Sequence, residues 1–240
     1  MNTHSHTETA TDAGTGTMAA PASTSRINSR ARLGRPAAIG LAVLTAAATA
    51  TALAPAANAA PHSAPAPVSS EPAFLAPNEL PPHRTSAWYA SDVTPGTPDP
   101  LPFCFGPSLP GATSVHRNFW TEYDTGAVQV TVVGRDQADA KSLAALFNKA
   151  IRTCADQAEQ EDPDVKAEFR DYGRINVEEG ANVYGIHTAH ASGPSDINLF
   201  SVGRDGRTVT VVKWGQMGNF QHAQVADFKR TTTTAVNKLY

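Results

Sequence analysis

The chain has 240 residues, with 19 Lys and Arg against 22 Asp and Glu, a formal net charge of −3 at pH 7, and only two cysteines. No clustered run of Lys and Arg exists outside the N-terminal arginines, which argues against nucleic acid as a partner because phosphate-backbone binding needs such clusters. Two cysteines are also too few for a multi-cysteine metal site.

Residues 1–25 are polar and rich in Thr and Ala, too long for an ordinary signal n-region, so Met1 and Met18 both stand as starts. Four arginines without an acid follow in "RINSRARLGR", then the apolar "PAAIGLAVLTAAATATALAPA", then the small-residue site Ala57-Asn58-Ala59. Charged n-region, apolar h-region and A-x-A site form a Sec-type secretory signal. Cleavage is expected between Ala59 and Ala60, leaving Ala60 first and Pro61 second. The alternative is an uncleaved membrane anchor, since about 18 or more apolar residues can span a bilayer; this run is mostly Ala and Thr, which favours cleavage. Residues 1–59 are therefore read as extension and signal, and 60–73, "APHSAPAPVSSEPA", as a Pro/Ala/Ser linker. Residues 74–240 suit one domain with its own core. Without Arg26, Arg30, Arg32, Arg35, Glu8 and Asp12 the exported chain keeps 15 basic and 20 acidic residues, a charge of −5.

The domain begins in a Pro-rich lead-in, "TPGTPDPLPFCFGPSLPG", that holds Cys104. "SVHRNFWTEY" then alternates His116, Asn118, Trp120 and Glu122 with Val115, Arg117, Phe119, Thr121 and Tyr123, and "AVQVTVV" alternates Val128, Val130 and Val132 with Gln129 and Thr131. Asp124-Thr125-Gly126 between them predicts a hairpin. The same tripeptide resembles an aspartic-protease signature, but that chemistry needs two carboxylates sharing a proton, and a turn suits it better.

A helix is predicted over about 137–160, capped by Asp136 with Asp139 in its first turn. Its stripe carries Leu143, Phe147, Ala150, Ile151, Cys154 and Ala158, and Asp162-Pro163 ends it. Further strands are predicted around 168–172, in "ANVYGIHTAH", in "INLFSV" and in "RTVTVVKWG", with Asp205-Gly206 turning between the last two. A final helix, about 220–239, aligns Val225, Phe228, Thr232, Val236 and Leu239; its four threonines are poor helix formers, so packing must hold it. The predicted class is α+β, an antiparallel sheet of five or six strands with two helices packed on one face.

In an exported chain an even cysteine count favours a bridge, so Cys104 and Cys154 are expected to form a structural disulfide. A catalytic thiol needs an exposed, electropositive setting, which the apolar stripe around Cys154 does not offer. His187 and His190, with Asp196 nearby, suggest a metal, but positions three apart on a strand face opposite sides. No metal or cofactor is expected. The candidate ligand-binding set is His116, Trp120 and Glu122, alternating onto one face of the first hairpin strand, with Trp214 from the last strand able to join; ordinary decoration of an open sheet face is the alternative.

The order "FLAPNELP", "SAWY", Cys104, "HRNFWTEY", "AVQVTVVGRDQADAKSL", Cys154, "RTVTVVKWG" and a terminal helix resembles the extracellular sensor-like domain of the PknH type. Such domains are attached to a mycobacterial receptor Ser/Thr kinase or exported alone in actinobacteria. The resemblance covers about residues 74–240. It implies an α+β domain with a cleft, stapled by disulfides, that binds an extracellular ligand, and it implies no reaction. The chain departs from the pattern in having one cysteine pair where kinase-attached members can carry two, and in having no kinase domain. The expectation is an exported, non-enzymatic domain binding an unknown small molecule or envelope component. A small secreted hydrolase and an envelope protein-interaction module are the alternatives.

Overall fold

Alternation, not propensity alone, builds the sheet. In the computed structural model, which describes residues 71–240, the long strands run Ser114–Trp120 (β3), Gly126–Val133 (β4), Val165–Ile175 (β5), Ala181–His190 (β6), Ser195–Asp205 (β7) and Thr208–Met217 (β8). Two short ones, Tyr89–Ala90 (β1) and Thr94–Pro95 (β2), precede them. The expected signal segment, the Ala59–Ala60 cleavage site and the start of the linker lie outside the described residues. All eight strands form one antiparallel sheet in the order β1-β3-β4-β8-β7-β6-β5, with β2 also on β3.

The strand count of five or six is thus corrected to eight. The sequence hid β1 and β2 because two-residue strands have no room to alternate. Edge strand β5 extends beyond the expected 168–172, and it presents Lys166, Glu168 and Arg170 outward with a register shift at Asp171/Gly173. Charges and a bulge on an edge strand discourage pairing with another chain.

The helix Gln137–Glu161 (α1) starts as its sequence dictates, with Asp136 accepting a hydrogen bond from the Asp139 amide at 2.8 Å and Asp162 at the C-cap. The second helix, Val225–Asn237 (α2), follows a one-turn 3-10 helix at Phe220–His222. Three of its four threonines return their hydroxyls to the carbonyl one turn back, and Thr231 reaches the Glu79 carbonyl at 2.7 Å. That back-bonding satisfies the hydroxyls without favouring the helix, so its buried Phe228, Ala235 and Val236 must anchor it.

The helices lie on opposite faces of the sheet, not on one face as expected. Val209 and Val211 pack with Phe147 and Ile151 of α1, whereas Val212 and Trp214 pack with Phe228 and Ala235 of α2. Neighbouring residues of a strand point to opposite faces, so these two clusters are separated by the sheet itself. On the α2 face the N-terminal segment completes the cover: the Leu75 amide donates to Gln129 Oε1 at 2.8 Å and Arg117 Nη1 donates to the Leu75 carbonyl at 2.9 Å. Both faces of the middle strands are thus covered over most of their length.

Cys104 and Cys154 are bonded, with Cα atoms 5.3 Å apart and 50 residues between them in sequence. The bridge ties the Pro-rich lead-in to the buried side of α1, where Phe105 meets Phe147 and Phe200 edge-on. Among the described residues no helix is long and apolar enough to cross a membrane. The disulfide is compatible with an extracellular location.

Candidate functional site

Antiparallel register decides which side chains share a face. One row across the sheet reads Asn118, Val128, Lys213, Phe200, Tyr184, and the next reads Trp120, Gly126, Gly215, Asn198, Ile186. Both rows face α1. Helix α1 ends at Glu161, before it can cover the Trp120–Gly126–Gly215 end of the second row, and the two glycines leave that end low. The result is a cleft of about 520 Å³ with a strand floor, the C-terminus of α1 as one wall, and Phe103 of the disulfide-held loop beside it. That volume is in the range of small-molecule sites.

Lys213 occupies the same face as Val209 and Val211, so it points inward where an apolar residue would be routine. Its ammonium makes no hydrogen bond among the described residues. Burial pushes its pKa below the ordinary 10.5, and the charge of Asp196 partly opposes that shift. Asn198, also buried, lies over Gly215 so closely that a Cβ there would meet its Oδ1 at 2.5 Å. Gly126 is different: a Cβ built on it meets only the Phe119 carbonyl, at 3.6 Å, so that part of the floor is open space.

Four carboxylates share the lining with Lys213, namely Asp124, Asp196, Glu161 and Asp162. Asp124 sits in the hairpin turn and accepts a hydrogen bond from the Met217 amide, which pins the turn to the end of β8. Its tripeptide is therefore a turn, as the sequence suggested. Asp162 accepts from the Asp164 amide at 3.0 Å. No basic residue stands in the last turn of α1, so the negative end of the helix dipole faces the same region uncompensated.

The expected ligand set is not brought together. His116 pairs with Val130 and is nearly buried, its Nδ1 2.9 Å from the Gly96 carbonyl, so it holds the lead-in loop down rather than facing a ligand. Glu122 lies beyond the end of β3 and accepts the Tyr89 hydroxyl at 3.0 Å. Trp214 is fully buried on the α2 face, opposite to Trp120, with its indole nitrogen unpartnered. Only Trp120 is near the cleft, paired with Gly126, 47% exposed and stacked near Tyr89 at 6.3 Å.

The histidines behave as strand geometry predicts. His187 meets Ser195 Oγ at 2.8 Å and the Phe220 ring, while His190 meets Ser192 Oγ at 2.7 Å on the other side. Ser195 Oγ also donates to the Gly218 carbonyl at 2.9 Å, which ties β7 to the end of β8. The His190–Ser192 contact joins residues two apart in an exposed turn, and Asp162 at 3.7 Å is beyond hydrogen-bond length. Asp162, Asp164 and His190 form an exposed cluster in place of the suspected His187, His190 and Asp196 group.

Sequence reading missed Lys213 and Asn198. The signal was available: each stands in phase with inward apolar residues, Lys213 with Val209 and Val211, Asn198 with Phe200 and Val202. A lysine in phase with core valines is rare unless paired. Comparison with protein-family models, curated proteins and solved structures finds no match for the chain.

Proposed function

We propose that this chain is an exported, non-enzymatic domain that binds a small polar molecule in the cleft at the end of α1. The observation that carries the reading is the Lys213 ammonium, half-buried on the floor of a concavity of about 520 Å³ and without a hydrogen-bond partner among the described residues. A charge placed there without a partner costs stability, and a ligand that meets it recovers the cost. Asn198 and Gln216 add neutral donors and acceptors, and the aromatic rim of Phe103, with Trp120 flanking, supplies contact area. The resemblance to the PknH-type sensor-like domain points the same way, toward ligand binding without a reaction.

The test is native mass spectrometry of the purified protein for a bound small molecule, before and after incubation with concentrated culture filtrate. Gly126→Leu places a side chain in open cleft space, so it should fold normally by circular dichroism and carry no such mass. A variant that keeps the load would place the ligand elsewhere. A parent protein that neither carries nor takes up any small molecule would remove the reading.

A further inference from the structure

The charges of the cleft are divided in space. Lys213 rises from the strand floor, while Glu161 and Asp162 stand at the C-terminus of α1, where the helix dipole adds negative potential and no last-turn cation offsets it. With Asp124 and Asp196 the lining carries one positive and four negative side chains.

A simple anion could meet Lys213 but would face three surplus negative charges. A simple cation could meet the carboxylates but would add a like charge beside an ammonium already short of partners. A molecule carrying both an acidic and an amino group satisfies both regions. Resting on the cleft reading above, we propose that the ligand is a zwitterion, with its anionic group on Lys213 and its ammonium against Glu161 and Asp162.

Selectivity then follows from pairing. Removing either ligand charge forfeits one charge-assisted pairing, at the half-buried Lys213 or at Glu161 and Asp162 on the solvent-facing wall. Neutralising the amine leaves the wall carboxylates facing a nonionic group; neutralising the acid leaves Lys213 as it is in the free protein.

Matched probes on two scaffolds test this by calorimetric titration of the purified protein at low ionic strength. Trialanine is the zwitterion, N-acetyl-trialanine the anion, trialanine amide the cation, and the doubly blocked form is neutral. Muramic acid, N-acetylmuramic acid, glucosamine and N-acetylglucosamine repeat the same four charge states on a sugar. On at least one scaffold the zwitterion should bind roughly 10- to 100-fold tighter than either singly charged form, as expected for losing a charge-assisted hydrogen bond. Lys213→Met should erase the preference over the cation, and Glu161→Gln with Asp162→Asn should erase the preference over the anion. Lys213→Gln serves if the methionine variant does not fold.

Lys213→Met has a second readout that a merely structural lysine would not give. Burial lowers the pKa of Lys213 below 10.5, so the unfolded chain holds its proton more tightly than the folded one. The folded state is penalised at neutral pH, and the penalty fades as pH rises through the folded pKa toward 10.5. The variant should melt higher than the parent without ligand at pH 7, and the gain should shrink at alkaline pH. A lower melting temperature at pH 7 would overturn the assignment of Lys213 as an unmet charge. Equal binding of charged and blocked probes, abolished by Gly126→Leu, would overturn the zwitterion while leaving the cleft as a binding site. No response to any probe on either scaffold would overturn the zwitterion too; the cleft reading would then stand or fall on the mass-spectrometry result.

Discussion

The two helices cover the two faces of one sheet by different means. Helix α1 has 25 residues, a capped start and a covalent tie to the lead-in loop through Cys154. Helix α2 has 13 residues, no side-chain cap and a threonine run, and it is held by Phe228, Ala235 and Val236 against the sheet. The α2 face is closed down to a buried tryptophan. The α1 face is closed only as far as the helix reaches, and the cleft begins where it stops. The staple holds α1 beside an open cleft, whereas α2 is held by a filled apolar face together with the Thr231–Glu79 and Lys229–Tyr172 hydrogen bonds.

Removing the main anchor of α2 tests that contrast most strongly. Phe228→Ala should cost about 3–5 kcal/mol, with amide exchange in α2 accelerating well before that in α1. A loss below about 1 kcal/mol would mean that packing does not hold α2. The Cys104→Ser/Cys154→Ser double variant should cost about 2–4 kcal/mol, the usual range for a native bridge, measured by denaturant unfolding. It should also weaken binding in the cleft, because Phe103 is positioned by the bridged loop. Full stability in the double variant would remove the staple from the account of the α1 face.

A finer test compares two residues on that same face. Val130 is fully buried beside His116, and Val130→Thr should cost about 1–3 kcal/mol by burying a hydroxyl. Trp120, in the same strand pair but exposed, should tolerate replacement by Thr within about 0.5 kcal/mol. Reversed outcomes would show that the cover of α1 extends to Trp120 and not to Val130.

The smallest effect concerns the N-terminal segment on the α2 face. Glu79 accepts the Ala76 amide and Lys238 Nζ, each at 2.6 Å. Burial pushes its pKa up, but these two partners together bring it below the ordinary 4.5. A depressed carboxylate contributes stability that is present above the unfolded pKa and lost as pH falls through the folded one. Glu79→Gln should therefore cost about 0.5–1 kcal/mol at pH 7, with the difference from the parent closing under acid conditions below about pH 4. A difference that persists unchanged at low pH would assign the effect to packing rather than charge.

The sequence by itself determined the local elements, because local elements are written in local rules. Two-residue periodicity marked the six long strands, Asp136 and Asp162-Pro163 bounded α1, and Asp205-Gly206 marked the last hairpin. Cysteine parity, read together with the expected export signal, was enough to anticipate the bridge. Strands β7 and β8, apolar or Thr-bearing on both faces, also held the sign that both faces are covered, a pattern typical of doubly buried strands. It was legible but read as one-sided.

Only the tertiary structure decided the site. His116, Trp120 and Glu122 follow one another at every second position, yet burial, the end of the strand and the short β1 and β2 separate their fates. Lys213, Asn198, Asp124 and Glu161 are far apart in sequence and meet because of inter-strand register and the length of one helix. No local pattern specifies register between strands 80 residues apart, such as β4 and β8; it is set by which long-range pairing buries most apolar surface, and the lysine is carried to the cleft floor by that choice.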